Sequence, residues 1–232
     1  MNPSSIARGT VRGYGALLAM RNLGLALAVL AGVAGAAAAE VRILAFGDSL
    51  TAGFGLPDGA GFVPRLEAWL AAHGAGDVTI VNGGVSGDTS AGGLARIGWA
   101  LGDDIDGVIV ELGANDMLRG IDPGVTRANL DGILTEIDAV GLPAILAGLP
   151  APPNYPADYR RAYKSMFRDL AREHGAIYYS SFLAGMGQDR SIRQIMRLMQ
   201  SDGLHPNTEG VAAIVEHIGP VVLELVAAAR QP

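Results

Sequence analysis

Short apolar runs rich in β-branched residues recur along this chain, with longer segments of helical periodicity between them. Consecutive apolar positions are typical of strands that are buried on both faces of a parallel sheet. The runs comprise residues 41–46, 78–82, 107–112, 143–149 and 176–179. Because strand and helix alternate throughout, the sequence predicts an α/β domain in which helices cover both faces of the sheet.

The segments between the runs have apolar residues three and four positions apart, as a helix packed along one face requires. They are residues 62–73, 124–140, 157–174 and 207–229. His73 and His174, each followed by a glycine, end two of these segments with a pattern that favours helix C-termini. His217 falls within the last segment, so His205 is the histidine that stands in a predicted loop.

The first 39 residues differ sharply in composition from the rest. They contain three arginines and no acidic residue, and positions 23–36 hold only Leu, Ala, Val and Gly. Small residues at 37–39 then complete the basic, apolar and cleavage regions of a secretory signal peptide. We predict a cleaved signal peptide over 1–39, with translation from Met1 or Met20, and a folded domain over 40–232 in the periplasm or the medium. An uncleaved membrane anchor fits less well, because the apolar run is shorter than the ~20 residues that span a bilayer.

Charge and cysteine content exclude several classes of partner. Removing residues 1–39 takes away three of the 17 basic residues and none of the 23 acidic ones, which leaves a formal charge of −9. So acidic a domain is not expected to bind nucleic acid or an anionic membrane surface. The chain has no cysteine, so an exported domain must be held together by its core without disulfides.

Polar and glycine-rich turns follow the predicted strands. Parallel strands present their carboxyl ends at one edge of the sheet, where α/β proteins bind ligands. Ser49 follows the first strand, Gly87 lies in a glycine-rich turn after the second, and Asn115 follows the third. Asp202 and His205 stand in a loop before the last helix. We therefore expect these residues to meet at one edge of the sheet.

These residue types are the parts that acyl transfer needs. Ser49 is a hydroxyl nucleophile at a strand-to-helix turn, and His205 supplies an imidazole base. Asp202 lies three residues before His205, close enough to orient the ring. The backbone N–H of Gly87 and the carboxamide of Asn115 offer hydrogen bonds to a developing oxyanion.

Each of these residues also has a structural interpretation. Ser49 does not stand in a G-x-S-x-G elbow, because Thr51 replaces the second glycine. The structural roles are a turn or N-cap for Ser49, a positive φ for Gly87, a cap for Asn115-Asp116 and a turn for Asp202-Gly203. We expect Asp48 to brace the first turn through hydrogen bonds to the backbone. The structural interpretation requires all of these roles to apply at once, at positions that the predicted fold brings to one edge of the sheet. The sequence therefore favours the catalytic interpretation.

Four blocks of the chain resemble, in order, those of the SGNH/GDSL hydrolases. They are Gly47-Asp48-Ser49-Leu50, Ser86-Gly87-Asp88-Thr89-Ser90, Gly113-Ala114-Asn115-Asp116 and Asp202-Gly203-Leu204-His205-Pro206. The resemblance spans roughly residues 41–225 and looks strongest to the bacterial branch of periplasmic thioesterase/lysophospholipases and arylesterases. It implies a three-layer α/β/α sandwich with a five-stranded parallel, flavodoxin-like sheet.

The resemblance also implies roles for the site residues. Ser49 would be the nucleophile, His205 the general base and Asp202 its orienting acid. The N–H groups of Ser49 and Gly87 and the side chain of Asn115 would bind the oxyanion. The resemblance implies neither a metal nor an organic cofactor.

The predicted enzyme is an exported serine esterase that hydrolyses acyl or aryl esters, thioesters or lysophospholipids through an acyl-enzyme. Four apolar residues in the loops after the third and fourth strands suit an acyl chain or an aromatic group, and ordinary loop packing explains them equally well. They are Leu118, Ile121, Pro152 and Pro153. The loop 151–156 and the segment 191–200 lie outside the four blocks, and we expect both to shape the pocket.

Two other functions remain open at this point. An acetyl esterase acting on polysaccharide or cell-envelope sugars would use the same chemistry, but its site would need aromatic platforms, and few aromatic residues stand near the blocks. A binding protein that keeps the fold without turnover predicts the loss of a block residue, and none is missing. The sequence predicts neither the preferred acyl-chain length nor the oligomeric state.

Overall fold

The computed structural model describes residues 40–187 and 190–231, so the predicted signal peptide lies outside the described residues. Five parallel strands form one sheet in the order β2-β1-β3-β4-β5. The strands are β1 (Val41–Gly47), β2 (Val78–Gly84), β3 (Gly107–Glu111), β4 (Ala144–Ala147) and β5 (Ile177–Tyr179). This is the flavodoxin-like order, and all five predicted strands are confirmed.

Helices lie between the strands and around them. They are α1 (Ser49–Ala52), α2 (Phe62–Ala72), α3 (Ser90–Ala100), α4 (Ala114–Leu118), α5 (Pro123–Ala139), α6 (Ala157–Glu173), α7 (Ala184–Gly187), α8 (Ile192–Arg197) and α9 (Thr208–Ala229). The helices predicted from apolar spacing correspond to α2, α5, α6 and α9. His73 and His174 are the C-cap residues of α2 and α6, as predicted.

The strand order places the helices in two layers. The chain moves from β1 to β2 in one direction and then crosses to β3, β4 and β5 in the other. Because crossovers between parallel strands are right-handed, this reversal puts α2 on one face and α3, α5 and α6 on the other. Helix α2 packs against α9, and α5 packs against both α3 and α6. The three-layer α/β/α sandwich is confirmed, and the reversal creates a switch point between β1 and β3.

The core lies on both faces of the sheet. Every residue of β1 except Arg42 is buried, and β3 is buried along its whole length. The largest fully buried side chains are Tyr163, Phe46, Phe62, Phe167 and Phe182. Burial on both faces explains why these strands appear in the sequence as continuous apolar runs and not as alternating patterns.

Helix α9 is long and apolar enough, by length and composition alone, to cross a membrane. It packs into the core instead, through residues spaced along one side. They are Gly210, Val211, Ile214, Val215, Ile218, Gly219, Val222, Leu225 and Val226. A Cβ on Gly219 would lie 2.5 Å from the ring of Trp69, so glycine lets α2 approach closely. The apolar character of α9 therefore reflects its place in the core.

Helix α3 was not among the helices predicted from apolar spacing. Its sequence, SAGGLARIGWA, contains glycines at positions 92, 93 and 98, which lower helix propensity. Close packing accounts for Gly93, because a Cβ there would run into the side chain of Leu112. Thr89 caps the helix by accepting the N–H of Gly92 at 3.3 Å. Tertiary contacts and the cap outweigh the weak propensity.

Candidate active site

The turn that carries Ser49 begins directly at the end of β1. Asp48 is the N-cap of α1, and its Oδ1 accepts the backbone N–H of Leu50 at 3.0 Å. Asp48 thus braces the turn as expected, and Ser49 is the first residue of the helix, not its cap. On β2, Gly84 is packed so closely that a Cβ would run into the backbone nitrogen of Ala52. The turn lies at the switch point between β1 and β3, where α/β sheets bind ligands.

The structure brings three of the predicted residues into one chain of hydrogen bonds. Nε2 of His205 lies 2.9 Å from Oγ of Ser49. Nδ1 of His205 lies 2.6 Å from Oδ2 of Asp202. In this arrangement an imidazole can accept the proton of a serine hydroxyl while a carboxylate fixes its tautomer and orientation.

Asp202 is held firmly by its own loop. Its Oδ1 accepts the backbone N–H groups of Leu204 at 2.9 Å and His205 at 3.1 Å. The hydrogen bond with the His205 ring, followed by these two backbone bonds, lowers the pKa of Asp202 to about 2. The other side of the imidazole faces Phe54, whose ring centroid lies 4.7 Å from that of His205. The loop therefore keeps Asp202 ionised and the ring in place.

The three predicted oxyanion donors differ in how they are engaged. Gly87 has a φ of 83°, and its N–H, like that of Ser49, donates to no other group in the described part of the chain. The amide nitrogen of Asn115 donates to Oδ2 of Asp48 at 3.0 Å and to the carbonyl oxygen of Asp88 at 2.8 Å. The N–H groups of Ser49 and Gly87 thus have no acceptor among the described residues, whereas both hydrogens of the Asn115 amide are bonded to residues of the first and second blocks.

Arg96 on α3 ties the ends of β1 and β2 to the second block. Its Nε lies 2.7 Å from Oδ2 of Asp88, and its two other nitrogens donate to the carbonyl oxygens of Gly83 and Gly47, each at 2.9 Å. The guanidinium also lies 3.9 Å above the ring centre of Phe46. Nothing in the sequence distinguishes Arg96 from the many surface arginines, so this role emerges only from the structure.

A second carboxyl lies beneath the Ser49 turn. Glu111 is fully buried at the end of β3 and is paired in the sheet register with Gly47. Its Oε2 accepts the hydroxyl of Thr51 at 2.8 Å and the N–H of Asp48 at 3.4 Å, whereas Oε1 has no partner among the described residues. Burial, and after it the nearby Asp48 carboxylate, raises the pKa of Glu111 well above its usual value. Burial therefore favours the protonated form of Glu111, and a glutamate within an apolar run is its signal in the sequence.

Glutamine in place of Glu111 is expected to be tolerated, because a carboxamide has the shape of a protonated carboxyl and still accepts the Thr51 hydroxyl. We expect Glu111→Gln to change the free energy of unfolding by less than about 1 kcal/mol at neutral pH, and Glu111→Ala to lower it by about 2–4 kcal/mol. The contribution of a carboxyl with a raised pKa is complete below about pH 4.5 and is lost as the pH rises through its folded-state value. Wild-type stability should therefore fall relative to Glu111→Gln over the range above about pH 4.5.

Urea unfolding of the three proteins across this pH range measures both effects. Equal losses for the glutamine and alanine variants would show that Glu111 is charged in the folded protein and would contradict this assignment.

The four predicted substrate-binding residues lie on two segments that the structure brings together. The hydroxyl of Tyr155 donates to the carbonyl oxygen of Met117 at 3.0 Å and so joins the loop 151–156 to the segment 113–121. Leu118, Pro152 and Pro153 are exposed, and Ile121 is half-buried. These four residues stay the predicted substrate wall.

A cleft of about 530 Å³ lies at the opposite edge of the sheet, where β3 and β4 begin. Its lining includes Asp106, Asp138 and His174, and none of the described lining residues is a serine, threonine, cysteine or lysine. His174 is bound there on both sides, with Asp131 at 3.0 Å and Asp138 at 2.6 Å. Within residues 40–187 and 190–231, no group of three potential ligand side chains is arranged to hold a metal ion. This cleft therefore offers no nucleophile comparable to Ser49 among its described lining residues.

Comparisons with known proteins agree with this geometry. The chain matches the GDSL-like Lipase/Acylhydrolase family over residues 45–213. It is 35% identical to Esterase TesA of Pseudomonas aeruginosa over 189 residues, which cover 81% of this chain and 90% of that protein. It is 34% identical to an arylesterase of Vibrio mimicus over 195 residues, 84% of this chain and 94% of the relative. It is 32% identical to Thioesterase 1/protease 1/lysophospholipase L1 of Escherichia coli K12 over 192 residues, 82% and 87% of the two chains.

A solved structure gives the same result. The fold is similar to that of AlinE4, an SGNH-hydrolase family esterase, with a TM-score of 0.65 and 41% identity over 80% of this chain and 96% of that one. The family match over residues 45–213 includes all four blocks, and with them Ser49, Asp202 and His205. The chain therefore belongs to the GDSL-like lipase/acylhydrolase family of SGNH hydrolases and is an enzyme that hydrolyses ester bonds.

Proposed function

We propose that this chain is an exported serine esterase that works through an acyl-enzyme on Ser49. Nε2 of His205 takes the proton of the Ser49 hydroxyl as Oγ attacks the carbonyl carbon, and passes it to the leaving alcohol or thiol as the acyl bond breaks. Water that gives its proton to His205 then attacks the acyl-enzyme, and the acid leaves as Ser49 regains its proton. The 2.9 Å contact between Nε2 of His205 and Oγ of Ser49 carries the proposal.

The proposed oxyanion site consists of the Ser49 and Gly87 N–H groups and the Asn115 amide. To donate a hydrogen bond to the oxyanion, the Asn115 amide must release one of the two acceptors that it now binds, or share a hydrogen between that acceptor and the oxyanion. Hydrogen bonds to an ionised acceptor are roughly twice as strong as those between neutral groups. We therefore expect the bond to the neutral carbonyl of Asp88 to yield to the oxyanion, while the bond to the Asp48 carboxylate keeps the amide aligned.

Alanine in place of Asn115 is expected to lower kcat for ester hydrolysis by roughly 10²- to 10³-fold with a smaller change in KM, because an oxyanion donor acts in the transition state. Steady-state kinetics on a p-nitrophenyl ester measure this. Asn129→Ala is the matched control, since its half-buried amide donates to Ser90 and not toward Ser49. Unchanged turnover in folded Asn115→Ala protein would remove Asn115 from the oxyanion site.

The proposed substrates are acyl or aryl esters, thioesters and lysophospholipids. Phe54 and Leu118 expose about half of their apolar side chains near the site, and the names of the relatives cover the same classes of ester. The experiment is kcat/KM over p-nitrophenyl esters from acetate to palmitate, with acetylated sugars as a second series and Ser49→Ala as the blank. We expect acyl esters to be preferred. Higher kcat/KM on acetylated sugars would favour the acetyl esterase instead.

Export through a signal peptide over residues 1–39 is part of the proposal. The composition of this segment supports it, and the folded domain begins immediately afterwards, with β1 starting at Val41. Expression of the full chain in a Gram-negative host, followed by mass spectrometry of the periplasmic fraction, is expected to give a protein beginning near Glu40. A full-length chain that stays in the cytoplasm would contradict export and leave the esterase proposal intact.

A further inference from the structure

Three tyrosines, four residues apart, bind the backbone of the segment 113–121. The hydroxyl of Tyr155 donates to the carbonyl oxygen of Met117 at 3.0 Å, and that of Tyr159 to the carbonyl oxygen of Ile121 at 3.0 Å. The hydroxyl of Tyr163 donates to the carbonyl oxygen of Gly113 at 2.8 Å. We name Tyr155, Tyr159 and Tyr163 the tyrosine ladder. It fastens the beginning, the middle and the end of one short segment.

The ladder is rigid because its rings stack on one another. The ring centroids of Tyr155 and Tyr159 are 5.2 Å apart, and those of Tyr159 and Tyr163 are 5.1 Å apart, with nearly parallel planes. Tyr163 is fully buried and meets Phe167 edge-on at 6.1 Å. Tyr159 and Tyr163 lie four residues apart on α6 and so face the same side of the helix, whereas Tyr155 precedes the helix and stacks on Tyr159. Burial raises the pKa of Tyr159 and of Tyr163, so both hydroxyls stay protonated donors.

The segment 113–121 needs such support. Helix α4 has five residues, far fewer than an isolated helix requires in water, so contacts with the rest of the protein must hold it in shape. Its N-cap, Gly113, has a φ of 120°, outside the range that other residues adopt comfortably. The carbonyl oxygen of Ile121 accepts no other hydrogen bond within the described residues than that from Tyr159.

This segment carries groups that border the proposed reaction centre. Asn115 reaches from it to the first and second blocks, and Arg119 donates to the carbonyl oxygen of Gly87 at 2.8 Å. Leu118, on the same segment, exposes its apolar side chain. A small shift of the segment therefore moves an oxyanion donor and part of the substrate wall together.

We propose that the tyrosine ladder is a positioning device for ester hydrolysis, in which the three hydroxyls fix the segment 113–121 so that Asn115 is aligned before substrate binds. The proposal rests on the function proposed for the site. The tyrosines act through Asn115 and do not touch the reacting atoms. Preorganised donors lower the barrier because no rearrangement is needed at the moment of reaction. Removal of the hydroxyls should therefore affect turnover more than substrate binding.

The test uses phenylalanine, which keeps the stacked rings and removes only the hydroxyls. The double variant Tyr155→Phe/Tyr159→Phe is expected to lower kcat on p-nitrophenyl butyrate about tenfold with KM changed less than about twofold. Tyr179→Phe is the matched control, because it removes a buried hydroxyl bonded to His217 at 2.6 Å outside the segment, and it should keep wild-type kcat. Should the double variant fold poorly, the single variant Tyr155→Phe at the solvent-facing end of the ladder is expected to show about a threefold loss.

A double-mutant cycle with Asn115→Ala separates positioning from general stability. If the ladder acts through Asn115, the two phenylalanine substitutions should cause less than a twofold further loss of kcat in the Asn115→Ala protein. The same loss with and without Asn115, or wild-type kcat in the double variant, would overturn the proposal. Both comparisons are ratios of kcat between active variants, and they can fail while the proposed function stands. Failure of the Ser49→Ala test, in contrast, would overturn the proposed function itself.

Discussion

Alanine in place of Ser49 is expected to lower kcat on p-nitrophenyl esters by roughly 10⁵- to 10⁶-fold, the size of effect seen when a hydrolase loses its nucleophile. Without Oγ, no acyl-enzyme can form and His205 has no hydroxyl to deprotonate. The substitution should leave the fold intact, because Asp48 and not Ser49 caps α1 and accepts the N–H of Leu50. Steady-state kinetics with purified protein and a thermal melt measure the two quantities together.

Ser201→Ala is the control for this prediction, because Ser201 is exposed and lies beside Asp202 in the same loop as His205. It should keep wild-type kcat within about twofold. Residual activity of Ser49→Ala within 100-fold of wild type, in protein free of wild-type contamination, would mean that another group carries the attack.

Asparagine in place of Asp202 is expected to lower kcat by roughly 10⁴-fold. The substitution keeps an oxygen for the N–H groups of Leu204 and His205, so the loop should keep its shape. It removes the charge that stabilises an imidazolium and lets the ring adopt the wrong tautomer, with Nε2 protonated toward Ser49. Most of the loss should therefore appear in kcat and little in KM.

The pH profile gives this prediction a second readout. Because the pKa of Asp202 is lowered to about 2, its charge is fully present above about pH 4 and is lost only as the pH falls toward 2. Asp202 therefore contributes no titration between about pH 5 and pH 9, and the loss of activity in Asp202→Asn should be present throughout that range. Asp58→Asn, at an exposed loop position, is the control. A loss below tenfold would show that His205 needs no carboxylate partner.

The fold could be predicted from the sequence largely because its strands are buried on both faces. Continuous apolar runs marked all five strands, and the apolar face of each long helix marked α2, α5, α6 and α9. Helix α3 was not predicted because its glycines lower the helix propensity of the segment. Gly93 is there for close packing against Leu112. The short helices α1, α4, α7 and α8 span too few turns to show any periodicity.

The site was predictable to a different extent for each of its parts. Ser49, His205 and Asp202 lie in loops that the alternating fold had to bring to one edge, and the structure places them in hydrogen-bond contact. Glu111 can be recognised in the sequence as an acidic residue within an apolar run. Its position beneath the Ser49 turn depends on the pairing of β3 with β1. The partners of Arg96 are backbone carbonyls of strands far away in the sequence, and no residue pattern encodes such contacts.

The tyrosine ladder illustrates the same limit. The four-residue spacing of Tyr159 and Tyr163 is plain in the sequence and indicates one face of the predicted helix, whereas Tyr155 lies before that helix. Their acceptors are main-chain oxygens of a segment about forty to fifty residues earlier, a relation that the side-chain identities of that segment do not reveal. Spacing predicts which residues share a face, and only the packed structure shows what that face binds.

Covalent labelling shows directly whether Ser49 is the nucleophile. The mature protein is treated with a fluorophosphonate, and the adduct is located by intact-mass and peptide mass spectrometry. We expect one phosphonyl group per chain on the peptide that contains Ser49, loss of esterase activity in proportion to labelling, and no adduct on Ser49→Ala. An adduct on another residue, or full inhibition with Ser49 unmodified, would contradict it.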